Sequence, residues 1–184
     1  MKLLVFAASH RLDSFNRKLA KLAATHMAAK GATIDFAEYG EFDMPIYNDA
    51  SYTKDDVPDI ARSFAKRAGK ADGIILSSPE YNWSYPGSLK NILDWTSRLK
   101  PAPLTGKAVF LMSATPGSRG GIVGLTHLKL PIEALHMFVY PKMFPLGHAE
   151  LAFDASGNLA DAKQQQAFTL LLDGYRVFVQ KFTG

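Results

Sequence analysis

Apolar runs and amphipathic stretches alternate along the whole chain. "KLLVFAA" (2–8) is apolar without a break, as in a strand covered on both faces. Polar "SHRLDS" follows, and from Ser14 onward Phe15, Leu19, Leu22, Ala23 and Met27 recur at helical spacing until Gly31 stops the pattern. "ATIDFAEY" (32–39) alternates and predicts a second strand. The long polar loop "GEFDMPIYNDASYTKDD" leads to a helix that Asp55 or Asp56 can cap, with Pro58 in its first turn. Val57, Ile60, Ala61, Phe64 and Ala68 form that helix's apolar face, and Gly69 ends it. "GIILSS" (73–78) predicts a third strand. "GSLKNILDWTSRLK" predicts a helix with Leu89, Ile92, Leu93 and Trp95 or Thr96 on its apolar side. "KAVFLMSA" (107–114) predicts a fourth strand, and "IVGLTHLKLPIEALHM" a helix that Pro131 should kink or split. "FVYPKMF" holds a short fifth strand and "GHAELAFDASGNLAD" a loop. A final helix is marked by Phe168, Leu171, Leu172, Tyr175, Val179 and Phe182.

Strands that alternate with helices imply parallel pairing through right-handed crossovers. The expectation is an α/β three-layer sandwich, a five-stranded parallel sheet in the doubly wound order 2-1-3-4-5. The 184 residues show no linker or repeat, so one domain is expected over 1–184. There are no cysteines, which removes disulfides, thiolate metal sites and cysteine nucleophiles and suits a reducing compartment. The apolar run near Met1 is too short for a signal-peptide core or a membrane span. A cytoplasmic protein without membrane insertion is therefore expected. The net charge of +4 favours anionic ligands, but no Lys/Arg block suggests a nucleic-acid tail.

In a doubly wound sheet the ligand lies beyond the carboxyl ends of the strands, at the switch point between strands one and three. The loops there are "SHRLDSFN", "SPEYNWSYPG" and "SATPGSRGG". The first sets Ser9, Arg11, Ser14 and Asn16 at a helix start, where unpaired N–H groups and a guanidinium suit a phosphate. The plain alternative is a capping serine and a solvated arginine. The second holds Tyr81, Asn82 and Trp83 between Pro79 and Pro86, a stiff wall that suits a flat heterocycle. The third brings Gly117, Gly120 and Gly121 together, which permits a concave nest of N–H groups. A phosphate at the first loop and a planar ring over the other two match the shape of flavin mononucleotide. Neither GxxxxGK[ST], GxGxxG nor GxSxG occurs. The five histidines (10, 26, 127, 136 and 148) have no metal-ligand spacing, so no metal is expected.

The chain resembles the NAD(P)H-dependent FMN reductase family, the small flavodoxin-like quinone, azo and chromate reductases, over about residues 2–180. "PEYNWSYPGSLKNILDW" is similar to the family's PEYN-x-S-x-PG-x-LKN-x-IDW signature. "SHRLDSFNRKLA" is similar to its GS-x-R-x-x-S-x-N phosphate loop, with Ala8 where glycine is usual. "SATPGSRGG" is similar to its S-A-S-PG-x-x-GG loop, with Thr115 in place of serine. The resemblance implies that Ser9, Arg11, Ser14, Phe15 and Asn16 hold the FMN phosphate. It implies that Pro79, Glu80, Tyr81 and Asn82 contact the ring, mostly through backbone, and that Ser113, Thr115 and Gly117 lie near the ring or ribityl chain. It also implies a homodimer or homotetramer, with Trp83, Tyr85, Trp95 and Arg98 at an interface or on a substrate wall.

The function expected is reduction of quinones or similar acceptors by ping-pong hydride transfer, with NADPH or NADH as co-substrate. The flavin carries the chemistry, so no catalytic side chain is expected. Donors near the ring would stabilise anionic reduced flavin and favour two-electron transfer. Arg119 and Lys107 are the candidate cations for a 2′-phosphate. The alternatives are a flavodoxin-type electron carrier, which is typically acidic where this chain is basic, and a flavin-binding interaction protein.

Overall fold

The structure is a computed structural model that describes residues 1–49 and 56–182. Its elements follow in the order β1 (Lys2–Ala7), α1 (Phe15–Ala29), β2 (Thr33–Ala37), α2 (Asp59–Lys70), β3 (Gly73–Ser77), α3 (Gly87–Ser97), β4 (Ala108–Ala114), α4 (Ile122–Ala134), β5 (Phe138–Val139), β6 (Phe144–Leu146) and α5 (Ala162–Gln180). All pairings are parallel, in the order β2-β1-β3-β4-β5, with β6 also on β4. This is the expected doubly wound order.

The continuous apolar runs are explained by burial on both sides. Leu4, Phe6, Ile74, Leu76, Val109 and Leu111 face α2, α3 and α4. Leu3, Val5, Ile75, Phe110 and Met112 face α1 and α5. A strand with one wet face would have alternated instead. The final helix enters the second layer through Phe168, Leu172, Tyr175 and Val179, all fully buried. Phe182 lies past its end and is exposed.

Several expectations need correction. The fifth strand is two pieces, so the sheet has six strands: Phe138–Val139 pairs with Ala108 and Val109, and Phe144–Leu146 pairs with Met112 to Ala114. Pro141 lies between them and has no N–H for the ladder. Pro131 does not split its helix. α4 runs through it to Ala134, although Pro131 lacks the N–H that would bond the His127 carbonyl one turn earlier. Ahead of α2, Asp55 lies outside the described residues. Asp56 is not the cap, because Pro58 holds that position and the helix starts at Asp59. Gly69 falls inside the helix, and Ile60 is exposed rather than on its buried face.

Candidate functional site

β1 ends in Ala7, and the chain then turns through Ser9 to Ser14 into α1. Ser14 occupies the N-cap position of α1 yet makes no side-chain bond to its helix. A serine there ordinarily accepts from the N–H two or three residues on. The first-turn N–H groups of α1 thus keep their partial positive charge for another acceptor. Ser9 and Ser14 are both buried. Arg11 stands at the rim and pairs with Asp13 at 3.1 Å. That hydrogen bond and charge hold the Asp13 carboxyl below its ordinary range and the Arg11 guanidinium above its own.

Asn16 is committed to the fold. Its Nδ2 donates to the Ala114 carbonyl at 2.8 Å. Its Oδ1 accepts from the Ala114 N–H at 3.0 Å and from the Ser77 hydroxyl at 2.9 Å. One carboxamide therefore joins α1 to the ends of β3 and β4. Asn16 lines the site, with its oxygen and one amide hydrogen already used within the fold.

The second loop leaves β3 through buried Pro79. The Glu80 carboxylate accepts from the Gly124 N–H at 2.7 Å, so it caps α4 from another loop. Gly124 suits this close approach, since a Cβ there would lie a tight 3.1 Å from both the Glu80 Cγ and the Ser84 carbonyl oxygen. Tyr81 and Ser84 exchange backbone bonds, N–H to carbonyl, of 2.7 and 3.0 Å. Between them Asn82 and Trp83 both have positive φ, 48° and 65°, as in a type I′ turn. The second of these positions favours glycine, and a tryptophan there costs about 1 kcal/mol. Trp83 is 56% exposed. The Arg119 guanidinium of the third loop lies 4.6 Å from its ring centre. That third loop packs on the 145–147 segment, where a Cβ on Gly120 would lie 2.6 Å from the Pro145 backbone.

The three loops enclose one cleft of about 170 Å³. Ser9, Arg11, Ser14, Phe15, Asn16, Pro79, Glu80, Tyr81 and Thr115 line it together with Ala114 and Pro116. Enclosed small-molecule pockets usually measure roughly 300–1,000 Å³, so a ligand of that class would lie partly outside this cleft. Three candidates are not on its wall. Asn82 is exposed on the turn. Ser113 is fully buried beneath Gly121, its hydroxyl without a partner among the described residues. Gly117 is exposed, and its carbonyl accepts from the Gly120 N–H at 3.1 Å. Ala114 and Pro116 were missed although they flank Thr115 in the same motif. The capping role of Glu80 has no local signal, because its partner is 44 residues away.

Comparison with known proteins follows the same lines. Residues 1–150 match the family described as NADPH-dependent FMN reductase. The chain belongs to that family. A 2-hydroxy-1,4-benzoquinone reductase of a Burkholderia species is 32% identical over 183 residues, 98% of this chain and 97% of that protein. A quinone reductase of Escherichia coli (strain K12) is 33% identical over 146 residues, 77% of this chain and 74% of that protein. The solved structure of FerB, a flavoenzyme NAD(P)H:(acceptor) oxidoreductase from Paracoccus denitrificans, superposes with a TM-score of 0.85 at 27% identity, covering 98% of each chain. The protein is thus an oxidoreductase with FMN as cofactor and NAD(P)H as co-substrate.

The residues present fit FMN. The reductase carries a helix N-terminus whose serine leaves the first turn uncapped, in a cleft floored by buried hydroxyls. Two other candidates of the sequence reading lie away from it. Trp95 is buried in the fold, its Nε1 donating to the Pro45 carbonyl at 2.7 Å, so it belongs to the core and not to a substrate wall or interface. Lys107 donates to the carbonyls of Gly69 and Ala71 at 2.9 and 2.7 Å, which closes the end of α2. Among the described residues no group of His, Asp or Glu is arranged to hold a metal, and no helix is long and apolar enough to cross a membrane.

Proposed function

We propose that the protein is a quinone reductase that couples NAD(P)H oxidation to two-electron reduction of a small quinone: NAD(P)H + quinone + H⁺ gives NAD(P)⁺ + hydroquinone. The observation that carries this reading is the cleft at the switch point, where an uncapped helix N-terminus meets a stiff aromatic loop. FMN held in this cleft would supply the two-electron redox chemistry that links the nicotinamide to the acceptor. The chain binds and positions. Ser9, Ser14 and the first turn of α1 receive the phosphate, and Arg11, ion-paired with Asp13, stands at the rim. Pro79 and Tyr81 bound the place for the ring, and Thr115 with Pro116 closes its other side. The shallow cleft leaves room above for each substrate in turn, which supports a ping-pong order. The names of the relatives support quinones as the acceptor class.

All 184 residues act as one unit in this proposal, since α5 lies beyond the matched region yet fills the core. We further propose a cytoplasmic homodimer or homotetramer. The exposed apolar side chain of Ile46, at 84%, supports such assembly. Light scattering on a sizing column checks it against a monomer mass of 20.2 kDa. Anaerobic stopped-flow mixing tests the activity. NADPH or NADH should bleach the flavin absorbance, and 1,4-benzoquinone should restore it without a semiquinone signal. A flavin that neither nicotinamide bleaches would sink the reading.

A further inference from the structure

We infer that Trp83 and Arg119 form the subsite for the adenosine 2′-phosphate of NADPH, and that this reductase prefers NADPH to NADH. The inference rests on the reductase reading and specifies its co-substrate.

Trp83 occupies a left-handed turn position that favours glycine, with φ 65°. A backbone held in such a state is a pointer to function. The turn does not bury the indole, which stays 56% exposed. The Arg119 guanidinium lies over it at 4.6 Å, and exposed indole of this kind can stack a planar group. Among the described residues no carboxylate pairs with Arg119. The carboxylate of Glu80, on the same loop as Trp83, is turned to the Gly124 N–H. The rim therefore offers a flat apolar surface beside an unneutralised fork of N–H donors.

Tyr81 and Pro116, on the same two loops, line the cleft, so this rim adjoins the reaction site. Of the reactants, a simple quinone carries no charge. NADH carries adenine but only the shared diphosphate. NADPH alone adds a terminal dianion beside its adenine, which suits arginine's planar fork. The other candidate cation, Lys107, is spent on the end of α2.

The test uses FMN-loaded enzyme, wild type and the variants Arg119→Gln, Arg119→Lys and Trp83→Phe. With saturating 1,4-benzoquinone, kcat/KM is measured for NADPH and NADH. Loss of a charge-assisted bond, worth about 1.5–3 kcal/mol, converts to roughly tenfold or more in affinity. The NADPH:NADH ratio should fall at least about tenfold in Arg119→Gln, chiefly through KM for NADPH, and return only in part in Arg119→Lys, which keeps the charge but not the planar fork. Trp83→Phe should raise KM for both nucleotides. A binding readout stands apart from turnover: adenosine 2′,5′-bisphosphate should quench tryptophan fluorescence in wild type more tightly than ADP, and lose that advantage in Arg119→Gln. An unchanged ratio in Arg119→Gln overturns the inference. So does a shift that falls on the quinone KM, which would make the pair an acceptor site. Protein that holds no FMN, or whose FMN neither nucleotide bleaches, fails the reductase reading itself. Bleaching by both with an unaltered ratio fails this inference alone.

Discussion

Ser14 sits where a cap belongs and does not cap. Ser14→Ala should therefore leave the thermal midpoint of the FMN-free protein within about 2 °C of wild type, where a working cap would cost about 1 kcal/mol. The same change should raise the FMN dissociation constant roughly tenfold or more, the worth of one hydroxyl bond to a charged phosphate. Flavin fluorescence titration checks this. Asn16 should behave in the opposite way. Its side chain serves three buried partners on β3 and β4, and Asn16→Ala leaves them unpaired. A loss of about 2–4 kcal/mol in urea unfolding is expected, with or without FMN. The two residues look alike in the sequence, as polar side chains in one phosphate-loop motif. What separates them is a set of bonds across 98 and 61 residues, and no local pattern carries that.

Elements were legible where one physical cause dominates. Continuous apolar runs mean strands buried on both faces, and β1, β3 and β4 lie where those runs do. The last strand is interrupted at Pro141 and α4 runs through Pro131, so a proline alone does not tell from the sequence whether an element ends. Gly73 opens β3 for a reason that lies in another element. A Cβ there would come 2.5 Å from the Tyr175 hydroxyl and 2.9 Å from Val179 of α5. That hydroxyl cannot yield easily, since it lies 2.8 and 3.0 Å from the carbonyl oxygens of Ile74 and Ala108. Gly73→Ala should cost about 1–3 kcal/mol by overpacking, read as a drop of roughly 2–12 °C in thermal midpoint. Tyr175→Phe removes the obstructing oxygen. The double variant should then lose less than the sum of the single losses. Strict additivity would mean that α5 does not bear on the strand through this atom.

At the scale of the whole molecule, three loops from distant parts of the chain meet at one cleft, and a cofactor that touches all of them binds only the folded state. Its removal should therefore lower stability by mass action. At a free FMN concentration of 100 times the dissociation constant the gain is about 2.7 kcal/mol. For a chain of this length that corresponds to roughly 5–11 °C. Riboflavin shares the ring but lacks the phosphate. If the α1 N-terminus holds the phosphate, riboflavin at equal concentration should raise the midpoint by clearly less than FMN. Ser14→Ala should shrink the FMN shift and leave the riboflavin shift in place. Raised salt should act the same way, because the phosphate contact at the rim is screened and the ring contact is not. Equal shifts from both flavins in wild type would move the phosphate away from α1. The site would then have to be rebuilt around the second and third loops alone. Differential scanning fluorimetry, read through tryptophan emission rather than flavin, settles the comparison.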